Sequence, residues 1–101
     1  MDNIHQEHAK LFRALCDPKR LAILSLLRGG EKCACVLMEQ LGMAQSAVSY
    51  HMKILCESGI VASRQEGKWT HYSLSSTGSR AAVELLLALT TPNTEQDRCC
   101  G

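Results

Sequence analysis

Apolar residues recur at three- and four-residue spacing between Gln45 and Glu57. Val48, Met52 and Leu55 form one stripe, which is the spacing of a helix that packs against a core. The positions away from this stripe are nearly all polar hydrogen-bonding residues: Gln45, Ser46, Ser49, Tyr50 and Lys53. The pattern therefore predicts an amphipathic helix with one buried face and one polar face.

The segment before this helix predicts a tight turn. Leu41-Gly42-Met43 follows a short helical pattern, and glycine suits the left-handed residue that such a turn requires. A helix, a tight glycine turn and a second helix with a polar face are typical of a helix-turn-helix. Taken alone, the same stretch also fits a two-helix corner inside an all-α domain.

Two further helices are predicted before this unit and one after it. Ile4, Leu11 and Leu15 share one face of a helix from about residue 5 to residue 15, and Asp17-Pro18 has the residues of a helix start. The second helix carries leucines at three-residue intervals up to residue 27, and a last helix runs from residue 77 to residue 90. Apolar residues cover more than one stripe of that last helix. We expect the same helix of a second copy to cover them, which predicts a homodimer through the first and last helices.

Between residues 60 and 75 the apolar period changes from the helical one to alternation. Trp69, Tyr72 and Leu74 follow a Glu66-Gly67 turn, which predicts a β-hairpin whose tip is residues 65–68. Arg64, Lys68 and His71 surround the tip and concentrate positive charge there. A basic hairpin that follows a helix-turn-helix is typical of a wing that contacts DNA phosphates. The alternative is a structural hairpin with solvated charges.

Length and charge set few further limits. The chain has 101 residues and a formal net charge of +1, which predicts one domain and leaves nucleic-acid binding to a local basic patch. We expect residues 1–91 to form this domain and residues 92–101 to form a flexible cysteine-containing tail. The first residues lack the pattern of a signal peptide, and no apolar run approaches membrane-spanning length, so a cytoplasmic protein with no membrane partner is expected.

Six cysteines are many for such a chain. Without an export signal they indicate metal or metalloid binding, or redox sensing, more than a disulfide framework. A thiol enzyme such as an arsenate reductase would need an arginine six positions after its cysteine, and no cysteine here has one. The chain is therefore not expected to be an enzyme.

Cys33 and Cys35 begin a short helix predicted from Glu31 to Leu41. A helix N-terminus and the adjacent Lys32 favour thiolates, and thiolates select soft ions. Residues two apart on a helix point about 200° apart. Both sulfurs can reach one ion only if the first turn unwinds or if Cys33 lies before the helix.

With these motifs the chain resembles the ArsR/SmtB family of dimeric winged-helix repressors. LFRALCDPKRLAILSLL is similar to the first two helices of the family, QSAVSYHMKILCESGIV to its recognition helix and RQEGKWTHYSLS to its wing. EKCACVL is similar to the cysteine signature at the metalloid site of arsenic and cadmium sensors.

The resemblance implies a dimer that binds operator DNA without a cofactor and is released by As(III), Sb(III) or another thiophilic ion. The residues it implies for DNA contact are Gln45, Ser46, Ser49, Tyr50, Lys53, Arg64 and Lys68. Cys33 and Cys35 would bind the inducer. Cys99 or Cys100 from the tail, Cys56 and Met38 are the candidates for a third ligand.

One alternative and two departures remain from this comparison with the family. Oxidation of a cysteine pair to a disulfide or polysulfide could release DNA in the same fold. Met38 stands where arsenic sensors often carry a third cysteine. The last helix has no Asp or His between Thr77 and Thr90, so the zinc site that some family members build there is not expected.

Overall fold

A computed structural model describes residues 3–93 of the chain. Its elements in order are α1 Ile4–Leu15, α2 Pro18–Leu27, β1 Lys32–Cys33, α3 Ala34–Leu41, α4 Gln45–Glu57, β2 Val61–Glu66, β3 Trp69–Leu74 and α5 Ser76–Thr90. This is the predicted order of helices and hairpin with one added strand, β1. Within residues 3–93, no helix has both the length and the apolar character needed to cross a membrane.

The start of α2 has the predicted cap. The Asp17 side chain accepts hydrogen bonds from the backbone amides of Lys19 at 2.7 Å and Arg20 at 3.3 Å, and Pro18 is the first helical residue. These two bonds satisfy amides that have no partner inside the helix. The sharp turn at Asp17 lets α2 pack back across the end of α1.

The core lies between the helices of the helix-turn-helix and the two helices before it. Its largest fully buried side chains are Ile23, Leu37, Val48, Met52 and Leu55. The predicted stripe of α4 is therefore confirmed as its buried face. Two further α4 residues, His51 and Ile54, are also buried and widen that face.

Arg20 is a buried cation, with 5% of its surface exposed. Its Nε donates to the carbonyl of Ala14 at 3.1 Å, and its Nη2 donates to the carbonyl of Arg13 at 3.1 Å. Its Nη1 lies 3.0 Å from Nδ1 of His51, so Nδ1 must be the acceptor and the imidazole must be neutral. One guanidinium thus joins the end of α1, the start of α2 and the middle of α4.

The sheet has the strand order β1-β3-β2 and is antiparallel throughout. The prediction of a helix from Glu31 was wrong at its start. Cys33 has extended backbone angles (φ −71°, ψ 147°), and Lys32 and Cys33 pair with Tyr72 and His71 of β3. The available backbone groups of β3 therefore extend the hairpin into a three-stranded sheet.

The hairpin turn lies one residue later than predicted. Glu66 pairs with Trp69, which leaves Gly67 and Lys68 as the two turn residues. Gly67 has φ 62°, and a positive φ at the first turn position suits glycine and matches the twist of a hairpin. Lys68 is therefore placed at the exposed tip of the wing.

Helix α5 has no buried residue in the single chain. Val83, Leu86, Leu87 and Leu89 are 57%, 50%, 58% and 47% exposed. Its first turn packs closely on the end of α4, because a Cβ atom on Gly78 would overlap the carbonyl oxygen of Gly59. Helix α5 thus lies close to the turn after α4 at one end and presents an uncovered apolar surface along its length.

We predict that the pH dependence of stability reports on His51. Burial lowers the pKa of His51 below its ordinary value of 6.5, with Arg20 and Lys19 acting in the same direction and Asp17 opposing them. The unfolded chain therefore binds more protons between the folded and ordinary pKa. The stability that this group contributes is complete above the ordinary pKa and is lost as pH falls below it.

Urea unfolding of the wild-type chain and His51→Gln between about pH 7.5 and about pH 5 measures this contribution. Glutamine retains an acceptor for Arg20 but does not titrate, so the wild-type stability should fall more steeply with acidification. Parallel profiles for the two proteins would contradict the assignment.

Candidate nucleic-acid interface and thiol site

The polar face of α4 is accessible along the whole helix. Gln45, Ser46, Ser49, Tyr50 and Lys53 are all exposed, as the sequence pattern predicted. The Tyr50 side chain is 56% exposed, and its ring lies edge-on to His51 with 5.1 Å between ring centroids. Through this ring contact, the buried pair of Arg20 and His51 supports the polar face of α4 from the core side. Ala44 at the N-cap offers no side-chain hydrogen bond.

Arg64 lies in the wing but its charge is neutralised there. Its Nε and Nη2 donate to the two carboxylate oxygens of Glu31 at 2.9 and 2.8 Å, and its Nη1 donates to Glu66 at 3.2 Å. The pKa of Arg64 is raised, mainly by the hydrogen bond to Glu31. The predicted concentration of positive charge around the tip is therefore reduced, because two carboxylates face this cation. Lys68 is the exposed cation at the turn itself.

The thiol pair lies where β1 becomes α3. Cys33 is the N-cap of α3, and its Sγ accepts the backbone amide of Cys35 at 3.3 Å. The two Sγ atoms are 2.6 Å apart. A metal–sulfur bond is about 2.3 Å long, so both sulfurs are within reach of one ion. Of the two ways to bring them together, the structure has the second: Cys33 lies before the helix.

The two thiols differ in acidity. The Cys35 thiol donates to Cys33 and is the main cause that lowers the pKa of Cys33, with help from the amides of Cys35 and Val36 against desolvation. The same hydrogen bond raises the pKa of Cys35, with burial and the neighbouring thiolate adding to it. Cys33 is therefore the more acidic thiol of the pair and Cys35 the less acidic one.

The candidates for a third ligand differ in how buried they are. Met38 packs against the hydrophobic core, and Cys56 is half-buried with its pKa raised by burial. Cys99 and Cys100 lie outside the described residues. Cys16 is exposed at the end of α1, with its Sγ 3.4 Å from the carbonyl of Arg13. Among residues 3–93, no three His, Cys, Asp or Glu side chains already form a metal-binding group.

Two residues of this region were not singled out from the sequence, and a third was given a different role. Glu31 binds Arg64 across 33 positions of chain, a pairing that no local pattern indicates. His51 is three residues after Val48 and so belongs to the buried stripe, which a helical-wheel reading could have found. His71 was read as part of the basic tip, but the register places it opposite Cys33.

Comparison with known proteins agrees with this geometry. A family profile described as "Bacterial regulatory protein, arsR family" matches residues 17–63. An arsenical resistance operon repressor of Staphylococcus aureus is 34% identical over 95 residues, covering 94% of this chain and 88% of that protein. A probable mercury resistance operon repressor of Streptomyces lividans is 35% identical over 92 residues, covering 91% and 74%.

A solved structure supports the same conclusion for the fold. A homodimeric winged helix-turn-helix DNA-binding domain of Mycobacterium bovis matches with a TM-score of 0.69 at 26% identity. The match covers 88% of this chain and 85% of that one. The predicted fold class, mainly α with a small hairpin sheet in a winged helix-turn-helix, is confirmed.

We predict that Cys33 is the first described thiol to be alkylated near neutral pH. The thiolate is the reactive form, and the Cys35 thiol stabilises it. Peptide mass spectrometry after short iodoacetamide exposure measures the rate at each cysteine, with Cys56 as the slow comparator because burial raises its pKa. Cys35→Ala should slow modification of Cys33. Equal rates at Cys33 and Cys56 in the wild-type chain would contradict the assignment.

Proposed function

The chain belongs to the ArsR family of bacterial regulatory proteins, and on that premise we propose that it is a repressor that binds operator DNA as a homodimer and leaves it when a thiophilic ion binds. The family assignment makes it a transcriptional regulator and not an enzyme. The proposal places it in the cytoplasm. It treats residues 1–91 as the DNA-binding and dimerisation domain and residues 92–101 as a cysteine-containing extension.

Operator binding is supported by the exposed polar face of α4. Glutamine, serine and tyrosine side chains can hydrogen-bond to base edges, and Lys53 can contact phosphate. The wing would add Lys68 from its tip. Arg64 would contact phosphate only by exchanging Glu31 and Glu66 for it. In a dimer, two α4 helices about 34–36 Å apart would read successive major grooves.

Dimerisation is supported by α5. Its four half-exposed apolar residues would lie in water in a single chain, and Ile4 of α1 is likewise 47% exposed. A second copy offers the same apolar surface, so the two can bury each other across a two-fold axis. We therefore propose contact through α1 and α5. The Mycobacterium bovis domain of the same fold is homodimeric.

Inducer binding rests on the thiol pair, which is the single observation that carries the proposal. Cys33 and Cys35 hold their two sulfurs 2.6 Å apart, and the pKa of Cys33 is lowered by the hydrogen bond from Cys35. We propose As(III), Sb(III) or another thiophilic ion as inducer. Arsenical and mercury resistance repressors among the relatives support this choice of ion class. Cys99 or Cys100 would supply a third sulfur to As(III).

The link from the thiols to DNA follows from their position. Cys33 is at once the last residue of β1 and the N-cap of α3, and α3 leads through the Gly42 turn to α4. Gly42 has φ 63°, a conformation that fixes the turn. Drawing both sulfurs onto one ion would shift the start of α3, and an ion acts only through its different affinity for the two states.

A thiol-redox repressor is the second candidate, favoured by the same pair. A thiol whose pKa is lowered, beside a second thiol, suits oxidation to a disulfide or polysulfide. Release by oxidant would leave a mass shift confined to Cys33 and Cys35. Mass spectrometry of DNA-free protein after oxidant, and after As(III), distinguishes the two inputs.

We predict that Cys33→Ser and Cys35→Ser bind operator DNA but no longer respond to As(III). Each substitution removes one sulfur of the Cys33–Cys35 pair and leaves the polar face of α4 intact. Mobility-shift titration with As(III) measures release, and Cys16→Ser, an exposed cysteine away from the pair, is the control. Unchanged release of Cys33→Ser and Cys35→Ser would show that inducer binds elsewhere.

Two other substitutions separate DNA contact from dimerisation. Lys68→Gln should reduce the slope of log affinity against log salt by about one, with no change in sedimentation mass.

Leu87→Glu should shift sedimentation toward monomer and weaken operator binding, because it places a charge in the apolar surface of α5. An unchanged salt slope for Lys68→Gln would remove the wing from the interface. A dimeric Leu87→Glu would require another dimer surface.

A further inference from the structure

The outer face of the wing sheet brings Cys33, one member of the thiol pair, next to a histidine. In the ladder, Cys33 of β1 pairs with His71 of β3, and His71 pairs with Arg64 of β2. Directly opposed residues of antiparallel strands project to the same face, with Cβ atoms about 4.5–5.5 Å apart. The His71 imidazole and the Cys33 thiol are therefore cross-strand neighbours.

The ion pairs of the sheet agree with this assignment of faces. Glu31 and Cys33 alternate to the same side of β1, and Glu31 binds Arg64, which lies in the same row as His71. Tyr72 and Ser63 pair in the adjacent row and face the other side. The electrostatic neighbours of Cys56 are Ser63 and Tyr72, so Cys56 lies at the opposite face from Cys33.

His71 makes a long ion pair with a carboxylate of the wing. Its side chain is 22% exposed, and its Nε2 is 3.5 Å from Oε1 of Glu66, a carboxylate that is itself 66% exposed. Because Glu66 is largely exposed, an ion pair at that distance contributes little to stability. Exchanging it for a bond to a metal ion would therefore cost little.

We propose that His71 is the third ligand of a Cys33–Cys35–His71 site for a divalent ion of the zinc type. This rests on the proposed function, whose thiol pair it completes. The three side chains do not yet surround one point, so the ion itself draws the imidazole across from Glu66. Two thiolates and one imidazole, with water in a fourth position, form a familiar tetrahedral zinc set.

The site would connect the inducer directly to the wing. Binding would tie β3 to the start of α3 through the metal and would leave Glu66 without its histidine partner. As(III) uses sulfur ligands and would need a third thiolate instead. The two kinds of inducer therefore use different ligands. His71 binds a divalent ion and has no part in As(III) binding.

The test compares Zn(II) and As(III) binding to the full-length wild-type chain and His71→Gln. Zn(II) affinity, measured by competition with a chromophoric chelator, should fall at least about tenfold in the variant, a loss in the range known even for outer-shell partners of metal ligands. As(III) affinity should be unchanged. His5→Gln, an exposed histidine of α1, is the matched control and should behave as wild type.

X-ray absorption on the Zn(II)-loaded chain provides a second readout. The wild-type spectrum should show two sulfur neighbours and one imidazole nitrogen, and the Cys99→Ser/Cys100→Ser chain should show the same set. His71→Cys should keep Zn(II) affinity while raising the sulfur count to three. This gain cannot arise from a variant that merely unfolds the wing.

The outcomes separate this inference from the function on which it rests. Unchanged Zn(II) affinity in His71→Gln, or a wild-type site with three sulfurs and no imidazole, would overturn the role of His71 alone. Unchanged As(III) affinity in Cys33→Ser would instead overturn the thiol site and the inducer proposal with it.

Discussion

The buried guanidinium of Arg20 holds the helical core in its arrangement. It gives its hydrogen bonds to two carbonyls of α1 and to one imidazole of α4, so a single side chain sets how three helices meet. A buried donor left without its partner costs about 1–3 kcal/mol, which makes each of these contacts hard to replace singly. Because the His51 ring packs edge-on against the Tyr50 ring, the same interaction also supports the exposed face of α4.

Local patterns in the sequence predicted the helices well. Apolar spacing located α4 and its buried stripe, and Asp17-Pro18 located the start of α2, because periodicity and capping depend on residues close in the chain. Strand β1 could not be predicted in this way. Two residues carry no period, and Lys32 and Cys33 are extended only because β3 offers them backbone partners some 39 positions later. The pairing of Glu31 with Arg64 depends on that same register.

In the candidate site, too, the features that depend on nearby residues were predicted and those that depend on tertiary contacts were not. Exposure of Gln45, Ser46, Ser49, Tyr50 and Lys53 followed from the helix that carries them. The chemistry of the thiols did not, since the acidity of Cys33 depends on becoming an N-cap and on the Cys35 thiol that donates to it. The resemblance to a known family indicated which cysteines matter. The sheet register showed what surrounds them: it joins the segment that carries Cys33 to the wing, while α3 joins the same segment to α4.

The contact between Gly78 and Gly59 gives the molecule a mechanical property. Neither residue has a side chain that could adjust, and the amide of Ser75 also donates to the carbonyl of Ile60 at 2.8 Å, so the start of α5 is held close to the turn that follows α4. In the proposed dimer through α1 and α5, a small rotation of one α5 against the other would therefore move the two α4 helices as well. The separation of the DNA half-sites that they are proposed to read would change with it.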